Sequence, residues 1–231
     1  MATQLKPIKV WGKGGPNPPK VQILLEALGV PHEITPLPLS EVKTPEYVAI
    51  NPNGRVPAIQ DPNTGLTIWE SGAILEYLVD KYDVEKRISF EAGSKEFYEA
   101  KQWLFFQASG QGPYYGQASW FYRYHPEVVV SARERYVKEI NRVTGVLEGH
   151  LEKVKKNSGG GDAWIVGDKL SYVDYAWVVW QVIMPLIVGK EEGFNPKEYP
   201  HAQEWMDRLT EQECVKIGLG EMLELIKKLE S

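Results

Sequence analysis

Residues 51–82 decide the fold of this 231-residue chain, with the sequence NPNGRVPAIQDPNTGLTIWESGAILEYLVDKY. Two short apolar segments, 58–61 and 66–69, predict strands, because the turn-forming run DPNTG joins them. From Ser71 to about Tyr82, apolar residues recur at helical spacing. The stretch therefore predicts a β-hairpin followed directly by a helix.

Candidate ligand-binding groups stand at both ends of this hairpin. Pro57 begins a strand, and the bond that precedes it can adopt the cis form, which turns the chain and leaves the Val56 backbone free to pair with a ligand. At the start of the helix, the Ser71 hydroxyl and the first N–H groups can bind a carboxylate. Glu70 can bind an ammonium group. Together they suit a ligand that carries both groups on one carbon, the head of an α-amino acid.

Four stretches of the chain extend this pattern: PEYVAINPNGRVPAI, IWESGAILEYLVDKY, WLFFQASGQGP and VGDKLSYVDYAWVVW. They resemble the cytosolic glutathione transferases, and the fungal branch related to the yeast nitrogen-catabolite regulator in particular. The resemblance covers nearly the whole chain. It implies that Val56, before a cis-Pro57, pairs with the cysteinyl backbone of glutathione. It also implies that Glu70 and Ser71 hold the γ-glutamyl head.

Two domains are predicted, residues 1–85 and residues 94–231, with a linker over 83–94. The first alternates strands and helices in the order βαβ-ββα, which is that of a thioredoxin-like domain; without the resemblance, any small α/β domain remains open. Its predicted strands are 8–11, 33–39, 58–61 and 66–69, its helices 18–28 and 71 to about 82, with a short helical or irregular segment at 44–50.

The second domain is predicted to be entirely helical. A long helix is expected from about Pro126 to Lys155, and a small-residue break is expected in the aromatic helix before it. Ser171 and Asp174 form a variant of the capping box at the start of an apolar helix, a structural role. The predicted fold class is thus an α/β N-terminal thioredoxin-like domain plus an all-α C-terminal domain, the glutathione transferase fold.

Asn17 is the candidate for thiol activation. Most members of the family place a Tyr, Ser or Cys after the first strand, but residues 13–20 here read KGGPNPPK and contain none of these. The resemblance to the nitrogen-regulator branch implies that the Asn17 amide faces the glutathione sulfur and donates to its thiolate. Asn17 can also cap the first helix, and the two roles are not exclusive.

Two cationic residues are candidates for the glycyl carboxylate of glutathione. Arg55 matches a basic residue that reaches toward glutathione in relatives, and a guanidinium suits a carboxylate; a solvated surface arginine is the alternative. Relatives usually have a histidine where this chain has Val42. Lys43, beside it, can take the same contact.

The electrophile site is expected in the helical domain, near its small-residue break. Ser109, Tyr114 and Tyr115 are the candidates, because small residues make room and aromatic rings supply an apolar wall. The alternative is that these rings fill the domain core or the subunit interface.

Composition excludes several classes of function. The net charge of −5 argues against a dedicated nucleic-acid binder. With Cys214 as the one cysteine, no internal disulfide forms. No apolar run reaches the length of a membrane span, and the four histidines show no metal-ligand spacing. We expect a cytoplasmic protein with no metal, no membrane association and no nucleic-acid partner.

Three functions remain open. The first is a glutathione transferase that uses glutathione as co-substrate and conjugates it to an apolar electrophile, in detoxification or fungal secondary metabolism, or uses it to reduce peroxides or disulfides. The second is a non-catalytic regulator with the transferase fold, and the third is a ligand-binding protein that stores apolar molecules. The resemblance also implies a homodimer.

Overall fold

The computed structural model of the protein describes residues 4–13 and 15–220. The chain divides into two compact units, Met1–Ser89 and Phe90–Ser231. The first unit contains a sheet with helices and the second is helical. This is the predicted fold class, an α/β domain followed by an all-α domain. The division falls within residues 83–94, where the sequence predicts a linker.

Among the described residues of the first unit, four strands form one mixed sheet. They are β1 (Ile8–Trp11), β2 (His32–Thr35), β3 (Ala58–Asp61) and β4 (Leu66–Trp69), in the spatial order β2-β1-β3-β4. The helices are α1 (Pro18–Leu28), α2 (Pro45–Val48) and α3 (Ser71–Tyr82). Strand β1 pairs in parallel with β2 and antiparallel with β3, and β3 and β4 form the predicted hairpin. Helix α1 packs against β1 and α3.

Proline and glycine set the ends of the first elements. Pro18 and Pro19 occupy the first positions of α1, where a missing N–H leaves no hydrogen bond unmade, and Gly29 ends the helix at φ +66°. Strand β2 ends at Thr35. The prediction of a strand over 33–39 was therefore too long, because the prolines that follow Thr35 cannot donate to a ladder.

The second unit is built from long helices around one buried helix. They are α4 (Lys95–Phe106), α5 (Gly112–Arg123), α6 (Val130–Asn157), α7 (Tyr172–Ile183) and α8 (Pro200–Thr210). Every residue of α7 is buried, and α4 and α8 pack against it. Helix α7 is thus the centre of this core.

Two details of the helical unit differ from the sequence prediction. Helix α6 begins at Val130 rather than near Pro126, because Val129 is extended and Glu127 donates its N–H to the His125 ring in a local turn. The predicted small-residue break is a π-helical segment, Gln107–Gln111, which joins α4 to α5 without interrupting the winding.

The start of α7 confirms the capping role of Ser171 and Asp174. The Ser171 backbone N–H and hydroxyl both donate to one oxygen of Asp174, at 2.9 Å each. The other oxygen accepts from the Ile165 N–H at 3.0 Å and from the Trp205 indole N–H at 2.8 Å. Asp174 is fully buried. A single carboxylate therefore ties α7 to α8 and to the loop before α7.

Within residues 4–13 and 15–220, no helix is both long and apolar enough to cross a bilayer. In the same part of the chain, His, Cys, Asp and Glu side chains do not gather into groups of three or more that could hold a metal ion.

Candidate functional site

The turn before β3 is fixed from inside the α/β unit. The bond between Val56 and Pro57 is cis. Just before it, the carbonyl oxygen of Arg55 accepts two hydrogen bonds, 2.8 Å from the Tyr47 hydroxyl and 2.6 Å from the Asn51 side-chain amide. Both donors are only 2% exposed. The buried donors hold the chain at this turn, while the Val56 backbone lies outside the ladder that begins with β3.

Gly12, the residue after β1, packs against the same turn. Gly12 has φ +104°, a conformation that favours glycine, and a Cβ atom placed there would lie 2.7 Å from the Val56 Cβ atom. Any side chain at position 12 would therefore push Val56 away. The end of β1 and the cis-proline turn are in direct contact.

Glu70, at the start of α3, has a strained backbone. It is the N-cap residue of that helix, with φ +73° and ψ +115°. Such a conformation in a residue other than glycine costs about 1–3 kcal/mol, and such residues cluster at functional sites. The first N–H of α3 that bonds back into the helix is that of Ile74, to the Glu70 carbonyl. The preceding N–H groups, beginning with that of Ser71, are thus available to an anion.

Asn53 connects the cis-proline turn to Glu70. Its side-chain amide donates to a Glu70 carboxylate oxygen at 3.3 Å, and its backbone carbonyl accepts from the Lys43 ammonium at 2.8 Å. Asn53 lies only three residues before Val56 on the chain. The two halves of the predicted ligand site are therefore joined by one hydrogen bond, and Lys43 is anchored beside them.

A buried lysine completes this group of charges. Lys20, in the first turn of α1, is 1% exposed. Burial lowers the pKa of its ammonium to about 7, while the negative charge of Glu70 acts in the opposite direction. The charge of Glu70 is thus coupled to the ionisation of a side chain in the interior.

The other predicted residues of the α/β unit lie at its surface. Asn17 precedes α1 and is half-buried, and its side chain makes no capping hydrogen bond. Its proposed role as a helix cap is therefore wrong in this structure, because its own backbone is already helical, at φ −91° and ψ −40°. The Arg55 side chain is exposed.

The three candidates in the helical unit have different surroundings. Ser109 is exposed on the π-helical segment, and its hydroxyl donates to the Phe105 carbonyl at 2.8 Å. Tyr114 is half-buried. Tyr115 is fully buried, and its hydroxyl lies 2.7 Å from the Thr144 hydroxyl and accepts from the Gln181 amide at 3.2 Å. Its contact with a substrate stays a prediction, one that a place in the core does not favour.

Sequence reasoning missed four residues around the α/β site: Tyr47, Asn51, Asn53 and Lys20. The first three lie within or just before the run NPNGRVP, but only the folded turn shows which groups they bind. Lys20 did carry a signal, because it shares one face of α1 with Leu24 and Leu28, both of which are buried. A charged residue on an apolar stripe is a sign of burial that the sequence offered.

Comparison with known families agrees with this geometry. Residues 6–80 match the model of the glutathione S-transferase N-terminal domain, and residues 116–213 match that of the C-terminal domain. The two matches together span most of the chain. The chain belongs to the glutathione S-transferase family.

Individual relatives are similar to this chain over most of its length. The chain is 59% identical to the glutathione S-transferase-like protein tpcF of Aspergillus fumigatus, over 94% of this chain and 97% of that protein. It is 43% identical to the glutathione transferase URE2P6 of Phanerochaete chrysosporium, solved with oxidised glutathione, with a TM-score of 0.84 over 95% and 97% of the two chains. It is 35% identical to the transcriptional regulator URE2 of Saccharomyces cerevisiae, over 88% of this chain and 64% of that protein.

Proposed function

We propose that this protein is a glutathione transferase that binds glutathione in its α/β unit and uses the bound thiol against an apolar electrophile. The observation that carries the proposal is the Asn53–Glu70 hydrogen bond, which joins the cis-proline turn to the strained N-cap of α3. This arrangement offers a backbone edge, a carboxylate and free helical N–H groups within one small region. Those are the groups that a γ-glutamyl peptide requires.

Each end of glutathione has a candidate partner. Glu70 takes the α-ammonium of the γ-glutamyl head, and Ser71 with the first N–H groups of α3 takes its carboxylate. The Val56 backbone, before Pro57, pairs with the cysteinyl residue. The remaining carboxylate, on the glycyl end, takes Arg55 and Lys43; Lys43 is already held beside Asn53.

Asn17 is proposed to act on the thiol. A free thiol is mostly protonated at neutral pH, and the thiolate is the nucleophile. The Asn17 amide donates to the anionic sulfur, and the N-terminus of α1 adds its favourable dipole. The side-chain amide is not engaged in capping α1, which leaves it available for this contact. The amide cannot accept the proton, so water carries it away.

The activated sulfur supports two kinds of chemistry. In conjugation it attacks an electrophilic carbon, a C–S bond forms, and a leaving group departs or a double bond takes up a proton. In reduction, two molecules of glutathione give oxidised glutathione and their electrons cleave a peroxide or a disulfide. Ser109 and Tyr114 are the candidates to line the electrophile-binding site, and Tyr115 lies in the core of the helical unit.

Assembly and cellular role are further parts of the proposal. Leu66 and Trp69 on the edge strand β4, and Phe105 on α4, are exposed apolar residues, which suits a homodimer interface. With one cysteine, the chain needs no oxidising compartment, in keeping with a cytoplasmic role in detoxification or secondary metabolism.

A non-catalytic regulator is the second candidate function, because one relative is named as a transcriptional regulator. Both candidates predict glutathione binding, but only the transferase turns over. Steady-state turnover by the wild type, reduced strongly in Asn17→Ala at unchanged glutathione affinity, supports the transferase. Full activity in Asn17→Ala would remove Asn17 from the mechanism, and binding without turnover against a panel of electrophiles, peroxides and disulfides would favour the regulator.

Calorimetric titration with reduced glutathione tests the site itself. We expect micromolar to millimolar binding by the wild type and no binding by the Glu70→Ala/Ser71→Ala double variant. Ser40→Ala/Glu41→Ala is the matched control, because it removes the same two side-chain types from an exposed stretch of the same unit. Absence of wild-type binding at several temperatures, with no thermal stabilisation by glutathione, would overturn the proposed function.

A further inference from the structure

Lys20 carries an ammonium group that is buried, which is unfavourable, and its position in the fold suggests a reason for this burial. It occupies the first turn of α1, three residues after Asn17, and is 1% exposed. Helix α1 packs against α3, the helix that begins after Glu70. A methionine of similar length would fill the same space without the cost of burying an ammonium. The buried ammonium is therefore a costly feature, and Glu70, at the start of α3, carries a charge that acts on it.

We propose that the buried ammonium of Lys20 is the counter-charge of the ligand site, so that a proton on Lys20 and a glutathione-type anion bind cooperatively. This inference rests on the proposed function, because the anion is the one assigned to Glu70 and Ser71. Lys20 acts through Glu70 and through the field inside the unit, and is thus a positioning residue.

The charges of the site favour this role. Glutathione carries two carboxylates and one ammonium at neutral pH, a net charge of −1, and its thiolate adds another. Glu70 is an acidic residue, so a neutral Lys20 would leave the net-anionic ligand to enter a negative region. A protonated Lys20 balances Glu70 and attracts the net anion.

Other charged groups near α1 have different roles. On β1, the Lys9 ammonium lies over the Trp11 ring. At the far end of α1, Glu26 pairs with His32 of β2. The charged residues of α3 beyond Glu70 are Glu76, Asp80 and Lys81, further along that helix. Glu70 is the charged group that acts most on the ionisation of Lys20.

The direction of the pH effect follows from linkage. The pKa of Lys20 is about 7, so near pH 7 the side chain is about half protonated. Binding an anion favours the ammonium, so the ligand raises the pKa and takes up a proton. If the ligand prefers the charged form tenfold, binding at pH 7 takes up roughly 0.4 proton, and affinity falls about fivefold from pH 6 to pH 8.

The test uses S-hexylglutathione, which has no thiol to release a proton. Calorimetric titration in phosphate and in Tris, whose ionisation enthalpies differ, measures the protons exchanged on binding. We expect proton uptake by the wild type, and none at this site by Lys20→Met, which should bind about tenfold more weakly at pH 6 and about twofold more weakly at pH 8. Lys20→Arg keeps its charge over this range, and should bind well with a flat pH profile.

Two controls and a folding check make the result decisive. Lys81→Met removes an exposed lysine from α3 and should behave as the wild type. His32→Gln removes the histidine of the α/β unit, which lies beside Glu26, and should keep the proton uptake. Thermal unfolding establishes that each variant is folded.

The outcomes separate the two proposals. Wild-type binding with proton uptake that Lys20→Met abolishes supports the role of Lys20. Wild-type binding with no proton uptake, with proton release, or with equal affinity in Lys20→Met overturns that role and leaves the proposed function standing. Failure of the wild type to bind either S-hexylglutathione or glutathione overturns both.

Discussion

Asp174 in the helical unit and Lys20 in the α/β unit are both buried ionisable residues, but their surroundings differ. Asp174 accepts four hydrogen bonds, from a capping serine, a loop N–H and the Trp205 indole. Lys20 is influenced by the carboxylate of Glu70, a residue assigned to the ligand. Burial raises the pKa of Asp174 and lowers that of Lys20, so it opposes the charge on both. A buried charge that accepts hydrogen bonds from its own core, as Asp174 does, stabilises the fold. A buried charge that is coupled to a residue assigned to the ligand, as Lys20 is, is instead proposed to change how strongly the site binds that ligand.

The largest expected effect is on the Asp174 side of this comparison. Asp174→Ala leaves four buried donors without their acceptor and should lower the free energy of unfolding by about 3–5 kcal/mol. Urea unfolding followed by tryptophan fluorescence measures it. Asp168→Ala, at an exposed acid of the preceding loop, should change stability by less than about 0.5 kcal/mol. Equal stability of the two variants would contradict the structural role of Asp174.

Asn51 extends the comparison to a buried polar residue that carries no charge. Asn51→Ala removes one of two donors to the Arg55 carbonyl, and should lower the free energy of unfolding by about 1–3 kcal/mol. It should also weaken glutathione binding, because the Val56 backbone becomes less fixed. Tyr47→Phe, which removes the other donor, is the matched variant. Urea unfolding and calorimetric titration measure both quantities, and unchanged affinity in both variants would separate the turn from ligand binding.

The pH dependence of stability tests the Lys20 side. Its pKa of about 7 in the folded protein lies below its ordinary value of 10.5. Between these values the unfolded chain binds more protons at this residue, so its contribution to stability rises with pH. Relative to Lys20→Met, the wild type should gain about 1 kcal/mol per pH unit between pH 7.5 and 9.5. Parallel urea titrations would reveal this slope, and its absence would mean that Lys20 ionises as it would in water.

Glu70 gives the smallest expected change in stability and a large change in binding. Glycine adopts a positive φ without strain, so Glu70→Gly should raise the free energy of unfolding by about 0.5–1 kcal/mol while glutathione binding is lost. Lys86→Gly is the matched control, because Lys86 also has a positive φ, of +54°. It should give a similar stabilisation with unchanged binding. Loss of stability in Glu70→Gly would show that the Glu70 side chain is itself part of the structural framework.

The sequence predicts the elements of the α/β unit closely, because its local signals agree with one another. The bounds of β1, α1, β3 and β4 are as predicted, each set by a turn or a proline at its ends. Where local signals favoured different structures, the predicted ends of the elements were wrong. The prolines beyond Thr35 were allowed in an edge strand and instead ended β2, and the turn after His125 delayed α6.

The site residues also divide into those that the sequence predicts and those that it does not. Glu70 and Ser71 follow from a local pattern at a helix start, and the structure places them there. The role of Lys20 could not be assigned, because it depends on Glu70, a residue distant along the chain. The role of Asn51 could not be assigned, because its bond to the Arg55 carbonyl depends on the folded shape of the turn between them. Tyr115 was expected near a substrate on its aromatic character, but that character serves equally well in a core, where it lies.

The π-helical segment Gln107–Gln111 shows where the helical unit can change its length. An α-helix turns by about 100° per residue, and a π-helix turns by about 80°, because each of its hydrogen bonds spans one residue more. Five π-helical residues therefore turn through about the same angle as four α-helical residues. Loss of one residue from this segment would restore regular α-helical winding and leave α5, with Tyr115 in the core, facing nearly the same way. Relatives with this core should therefore tolerate a one-residue gap here, whereas a gap inside α5 would rotate the residues beyond it by about 100°.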